Sequence, residues 1–340
     1  MQPIIGIFCI WLVSRGLGGV ARYFKQPAII GELLAGIILG PSLIGNYYTF
    51  SSPFLDKLNV LGGALFLLSA GWALRLSDIL RFKRLGLAVS AAGSAIPLLI
   101  GYGIGIYYPG IVGYDGLSSR SIFAVFLGIA LSVSALPVIA RTLMDMELYQ
   151  SRIGIVTMSA ATIDDLLGWI CFSLMLSIVG QMGVGSQIYF FLPLVCYVAG
   201  VMLGEASDLK VMQFKHHVEW PVRNIFAPIL FGSVAIRLSF FQHFDLLLVV
   251  ILITAASVGK IFGCTFAALT MAVPIRESWA IGFAMNSRGA MMVIFASLAR
   301  QFHLIGDKLL VALIIMAVAT SLMSAPLIRA VIGAAKPVAE

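Results

Sequence analysis

Residues 152–178 read RIGIVTMSAATIDDLLGWICFSLMLSI. One basic residue opens the run and two adjacent aspartates interrupt it; the rest is apolar, small or hydroxylated. The run exceeds the ~20 residues a helix needs to cross a hydrocarbon layer of about 30 Å, and it lacks the every-second-residue alternation of a membrane strand. It reads as a membrane-spanning helix. Asp164 and Asp165 lie about 18 Å along it from Arg152 at 1.5 Å per residue, close to the bilayer midplane. A charged carboxylate there costs about 3 kcal/mol or more, and a position that only packs would carry leucine. The plainer alternative is a structural, hydrogen-bonded pair. Adjacent helix positions point about 100° apart. One carboxylate can therefore face a water-filled cavity while the other faces a neighbouring helix.

Working outward, similar apolar runs fill the chain. Of its 340 residues 60% are hydrophobic and 11% charged, with a mean hydropathy of +1.03; a soluble domain is about 25% charged. We read an all-α, polytopic membrane protein with about eleven spans, at roughly 3–22, 27–45, 57–76, 84–107, 120–142, 152–178, 187–204, 222–242, 246–269, 278–298 and 308–332. The net charge of +7 sits between these runs, so it belongs to loops and not to a nucleic-acid surface. Cys9, Cys171, Cys196 and Cys264 fall inside spans without ligand spacing and are expected to pack. The N-terminus lacks a basic lead and a cleavage site, and is read as the first span. The longest polar connection, about 205–221, carries Lys210, Lys215, His216 and His217 and is expected to be a solvated loop, not a metal site. Lys57, Arg120, Arg237, Arg300 and Lys308 lie on the N-terminal side of the spans, and the larger share of loop Lys and Arg, among them Arg81, Lys83 and Arg84, on the other. That asymmetry predicts the N-terminus outside and the C-terminus cytoplasmic.

The hexapeptide Ala35-Gly36-Ile37-Ile38-Leu39-Gly40 of the second span returns as Ala199-Gly200-Val201-Met202-Leu203-Gly204 in the seventh. The odd offset of five spans makes the copies antiparallel across the membrane, as in inverted repeats. The halves would be about 1–180 and 187–335 of one transmembrane domain. The same offset pairs the fifth span with the tenth, and both are interrupted. The fifth holds Leu131-Ser132-Val133-Ser134-Ala135-Leu136-Pro137, where proline removes a donor and disfavours helix at the residue before it. The tenth holds Asn286-Ser287-Arg288-Gly289-Ala290. Unwound backbone at membrane depth is tolerated where it is buried in protein or lines a cavity. Two broken helices at matched places point to a transport site; a simple kink at Pro137 and an Arg288 reaching to the interface are the bland readings.

Lys260 is the one basic residue deep in another span. A salt bridge from it to one aspartate would lower the cost of both charges and leave the other free for a proton or a small cation. A carboxylate that must choose between the two couples their gradients. Glu32, at the start of the second span, suits a helix N-terminus electrostatically, or serves ion access.

Five segments resemble the second monovalent cation:proton antiporter family, the sodium(potassium)/hydrogen exchangers. They are residues 26–42 (QPAIIGELLAGIILGPS), Ser134 to Arg141 (SALPVIAR), Ala160 to Trp169 (AATIDDLLGW), Gly259 to Gly263 (GKIFG), and Asn286 to Met291 (NSRGAM). They are spread over most of the chain in the family's order. The resemblance implies an inverted-repeat antiporter fold with a dimerisation region and a core holding two crossed, unwound helices. It implies that Asp165 carries the monovalent cation (Na⁺ or K⁺) or the proton, that Asp164 pairs with Lys260, and that Ser132, Ser134, Pro137, Asn286 and Arg288 line the unwound stretches. The paired aspartate is similar to that of electrogenic members, which exchange two protons per cation. A homodimer in the cell membrane, no cofactor and no enzymatic activity are implied as well. The chain departs from the pattern at Ala73 and Met292, where the family carries carboxylates. It departs again between Gly180 and Ala199, where the family places two further helices. A soluble regulatory domain is not expected. Two competing readings are an organic-anion symporter of related fold, which adjacent aspartates disfavour, and a non-transporting membrane partner, which the short middle would suit. An intramembrane aspartyl protease would place its aspartates on separate helices.

Overall fold

The computed structural model describes residues 2–24, 28–41, 53–72, 83–179, 184–205, 217–236 and 240–333, and among these the regular structure is helical throughout, with no strand. The helices are α1 (Gln2–Tyr23), α2 (Ala28–Leu39), α3 (Pro53–Trp72), α4 (Lys83–Tyr107), α5 (Arg120–Ser132), α6 (Leu136–Asp145), α7 (Arg152–Val179) and α8 (Val184–Glu205). After a π-helical turn at Val222–Phe226 come α9 (Ala227–Ile236), α10 (Phe240–His243), α11 (Leu246–Thr270), α12 (Ile275–Met285), α13 (Gly289–Gln301) and α14 (Asp307–Ile332). Six stretches are long and apolar enough to cross a membrane: Ile5–Tyr23, Arg84–Tyr107, Arg120–Asp145, Arg152–Ile178, Leu246–Thr270 and Asp307–Ile332. Ala28–Leu39, Val195–Gly204 and Met291–Gln301 are shorter apolar helices. The chain is a multi-pass membrane protein.

Two expectations are refined. The stretch expected to span at 222–242 is a π turn followed by α9, and after residues 237–239, which lie outside the described ones, the single-turn α10. The spans expected at 120–142 and 278–298 are each two helices in series, α5 with α6 and α12 with α13. Ala73, Lys210, Lys215 and His216 lie outside the described residues. Among the described residues no group of His, Cys, Asp and Glu is suited to hold a metal ion. The four cysteines carry free thiols.

Local chemistry places the helix ends. Ser119 caps α5 by accepting from the Ile122 amide at 3.4 Å, and Asp245 caps α11 by accepting from Leu248 at 3.1 Å. Asp245 also accepts from Lys308 at 2.7 Å, which ties α11 to the start of α14 and holds its carboxyl below the usual range. Gly333 ends α14 at a positive φ of 71°, where a side chain would be strained.

The chain forms two compact units, residues 1–75 with 180–244, and residues 76–179 with 245–340. In the first, α1 packs on α2, α2 on α9, and α3 on α8. The contacts run through small residues. A Cβ at Gly31 would collide with the Leu17 backbone, one at Gly36 with the Gly232 carbonyl, and one at Gly71 with the Tyr197 carbonyl. Close backbone approach through glycine is how helices associate in lipid, where hydrophobic burial gives no gradient. In the same unit Trp11 Nε1 and Arg15 hydrogen-bond Asn224 of the π turn, the latter at 2.6 Å to the side-chain oxygen. In the second unit α4 lies between α5 and α11. Here Gly101 faces the Gly128 backbone and Gly263 the Ala92 carbonyl, each with only 2.7 Å from a would-be Cβ. Trp169, Phe172 and Phe295 form an aromatic block, with ring centroids 4.5 Å apart for Trp169–Phe295 and 4.7 Å for Phe172–Phe295.

Candidate functional site

The site lies in the second unit, where two interrupted helices meet. α5 stops at Ser132 because the next residues, Val133 and Ala135, are extended and Pro137 starts α6. α12 stops at Met285, and α13 begins at Gly289. The two gaps hydrogen-bond each other: the Ala135 amide donates to the Ser287 carbonyl at 2.8 Å, and Ser134 Oγ donates to the Met285 carbonyl at 2.9 Å. Gly289 permits the crossing, since a Cβ there would collide with Val138 and come within 3.1 Å of Ala135 Cβ. Its amide donates to Ser321 Oγ of α14 at 3.2 Å.

A broken helix leaves carbonyls without intrahelical donors. Two buried cations cover those of α5. Arg288 Nη1 donates to the carbonyls of Ala130 (3.1 Å) and Val133 (3.0 Å), and Nη2 to that of Ala256 on α11 (3.1 Å). Lys260 Nζ donates to the Ser132 carbonyl at 2.6 Å. Positive charge at a helix C-terminus is also favoured by the peptide dipoles. Arg288 does not reach toward an interface; it is fully buried.

Lys260 makes a buried ion pair with Asp164. Ser90 Oγ and Ser94 Oγ of α4 donate to Asp164 Oδ1 at 2.5 and 2.8 Å, and Ser134 Oγ approaches Oδ2 at 3.1 Å. Asp165, 2% exposed, is different: its Oδ1 is buried without a hydrogen-bond partner. Asn286 donates to Ser257 at 3.1 Å while its own Oδ1 is unpartnered, and so is the Ser287 hydroxyl. A buried, unpartnered oxygen is costly, and a proton or a desolvated cation is what such oxygens accept.

The structure thus brings together Asp164, Lys260, Ser134, Asn286 and Arg288, with Asp165 adjacent on α7. Ser132 takes part through its carbonyl; its hydroxyl turns back to Ile129 at 2.8 Å. Pro137 sits in the first turn of α6. Glu32 belongs to the other unit, buried in α2 with its Cγ 3.2 Å from where a Cβ on Gly18 would be. Met292 is fully buried in α13. Sequence reading missed Ser90, Ser94 and Ser257. The i, i+4 spacing of the first two, on one face of an apolar helix, was the available signal.

Residues 7–204 and 192–332 match the profile of the family described as sodium/hydrogen exchanger, transmembrane; the two ranges share 192–204, which includes the second copy of the hexapeptide. Cation/H(+) antiporter 17 of Arabidopsis thaliana is 27% identical over 397 aligned positions, which cover 96% of this chain and 48% of that protein. The chain spans about half the length of the plant relatives. The Na(+)/H(+)-K(+) antiporter GerN of Bacillus cereus is 24% identical, with 96% of both chains covered. The fold is also that of the sodium proton antiporter MjNhaP1 from Methanocaldococcus jannaschii, with a TM-score of 0.65 at 13% identity over 96% of both chains. Crossed helix breaks, a membrane-buried aspartate pair and a profile match over most of the sequence agree, and the chain belongs to the sodium/hydrogen exchanger family of transmembrane proteins.

Proposed function

We propose that this protein is a secondary antiporter that exchanges Na⁺ or K⁺ for protons by alternating access, with Asp165 as the carboxylate both ions compete for. One observation carries the reading. Of two neighbouring buried aspartates, Asp164 is saturated with donors while Asp165 keeps an oxygen without any. A group already bonded on every side cannot exchange ligands cheaply; a group with an unmet oxygen can. The unpartnered Asn286 Oδ1 and Ser287 Oγ are further oxygens for a dehydrated cation at the helix crossing. The names of the plant and Bacillus relatives fit this reading. The transmembrane region works as one domain of two inverted halves, with the N-terminus outside, the C-terminus cytoplasmic and two copies to an assembly. Glu32 serves ion access in its own unit.

The test is transport by purified protein in liposomes loaded with a pH-sensitive dye. Adding Na⁺ or K⁺ dissipates an imposed pH gradient in the parent protein, and Asp165→Asn abolishes the response. Parental rates in Asp165→Asn would remove the site assignment. A parent protein that moves neither cation would make the chain a non-transporting partner.

A further inference from the structure

The donors around Asp164 exceed what pairing with Lys260 requires. Ser90 and Ser94 stand one turn apart on α4 and both donate to Oδ1. Oδ2 takes Lys260 Nζ and also Ser134 Oγ, whose one proton it shares with the Met285 carbonyl. An ionised carboxylate offers about four lone-pair sites, and here each has a donor. A protonated Asp164 would aim its own hydrogen at one of those donors, and an arriving cation would have to displace one. Lys260 is equally occupied, fully buried and bonded to the Ser132 carbonyl as well. The ionisable groups facing Asp164 are Lys260 and Cys264 of α11, Arg288 of the helix break and Asp165 of its own helix. α4 and α5 bring it hydroxyls.

We propose that Ser90 and Ser94 are positioning residues that keep Asp164 a fixed anion, and Lys260 its fixed cation, throughout the transport cycle. Asp165 alone then changes its load, and one proton crosses for each monovalent cation. One positive charge moves each way, so exchange is electroneutral. This rests on the antiporter reading above. It departs from the two-proton exchange that the paired-aspartate resemblance implies.

The decisive quantity is the cation ratio at which transport stops. Liposomes carrying the full chain are held at a fixed pH difference, a membrane potential is imposed with a thiocyanate gradient, and the steady-state distribution of isotopic sodium, or rubidium in place of potassium, is read. Electroneutral exchange keeps that ratio equal to the proton ratio, and a 100 mV step moves it by less than about twofold; net movement of one charge per cycle would move it about fifty-fold, since each charge is worth about 2.3 kcal/mol per 100 mV. A fifty-fold shift in the parent protein overturns the proposal. In Ser90→Ala/Ser94→Ala the cation ratio is expected to become potential-dependent and the rate to rise with pH with the steepness of two protons instead of one. Ser94→Thr keeps the hydroxyl at a partly exposed position and is expected to retain the parental profile, which Ser94→Ala loses. Alanine variants that change only the rate, with potential and pH dependence unmoved, also overturn it. A parent protein that builds no cation gradient at any potential removes the antiporter reading itself, and this inference with it.

Discussion

At the scale of single residues, Asp164 and Asp165 differ by one position and by almost everything around them. The turn of about 100° between neighbours on a helix sends Asp164 toward Lys260 and the serines, and leaves Asp165 Oδ1 without a partner. Removing one member of a buried pair strands the other charge, at a cost of about 3–5 kcal/mol. Lys260→Ala is therefore expected to lower the thermal stability of the detergent-solubilised protein markedly. Adding Asp164→Asn should recover most of the loss, and a double variant no more stable than Lys260→Ala alone would contradict the pairing energetics. Ionisable residues in a span were legible in the sequence because a membrane tolerates them only for a reason. Ser90 and Ser94 were not, because a hydroxyl in a membrane helix can satisfy itself on its own backbone, as Ser132 does here.

At the scale of elements, the important features are gaps. α5 and α12 end in mid-membrane, and their loose ends are tied to each other, to Arg288 and to Lys260. Pro137 and the polar Asn286–Gly289 patch made both interruptions readable from the sequence. What the sequence could not give was the sharing of one guanidinium between α5 and α11, a long-range relation that no local pattern encodes. An ammonium cannot reproduce the planar fork that spans those carbonyls. Arg288→Lys should cost about 3 kcal/mol, since an orphaned buried carbonyl costs about 1–3 kcal/mol. It should also slow exchange even at temperatures where the variant stays folded. Parental stability and rate together would show that Arg288 is not what holds the crossing. The eighth expected span shows the opposite limit: its hydropathy read as one continuous helix, yet Asn224, bonded to Arg15 and Trp11, sits in a π turn at its start.

At the scale of the whole molecule, each compact unit draws on both halves of the sequence. The repeat relates segments by chain order, whereas the units reflect which helices pack, so the first does not reveal the second. Orientation is checked by labelling. In a chain with its four cysteines changed to alanine, Leu117→Cys, in the loop between α4 and α5, should react with a membrane-impermeant maleimide on intact cells. Gln150→Cys, in the loop between α6 and α7, should react only after permeabilisation. The reverse pattern would invert the topology.

Trp169 stands four residues after Asp165, one helical turn on, wedged edge-on against Phe295 with its indole N–H unpartnered. An indole so close to a carboxylate that trades a proton for a metal ion is a native fluorophore for that trade. With the other four tryptophans replaced by phenylalanine, Na⁺ or K⁺ titration should shift the emission spectrum, and Asp165→Asn should leave it flat. Loading of the site could then be followed in unlabelled protein without any flux measurement.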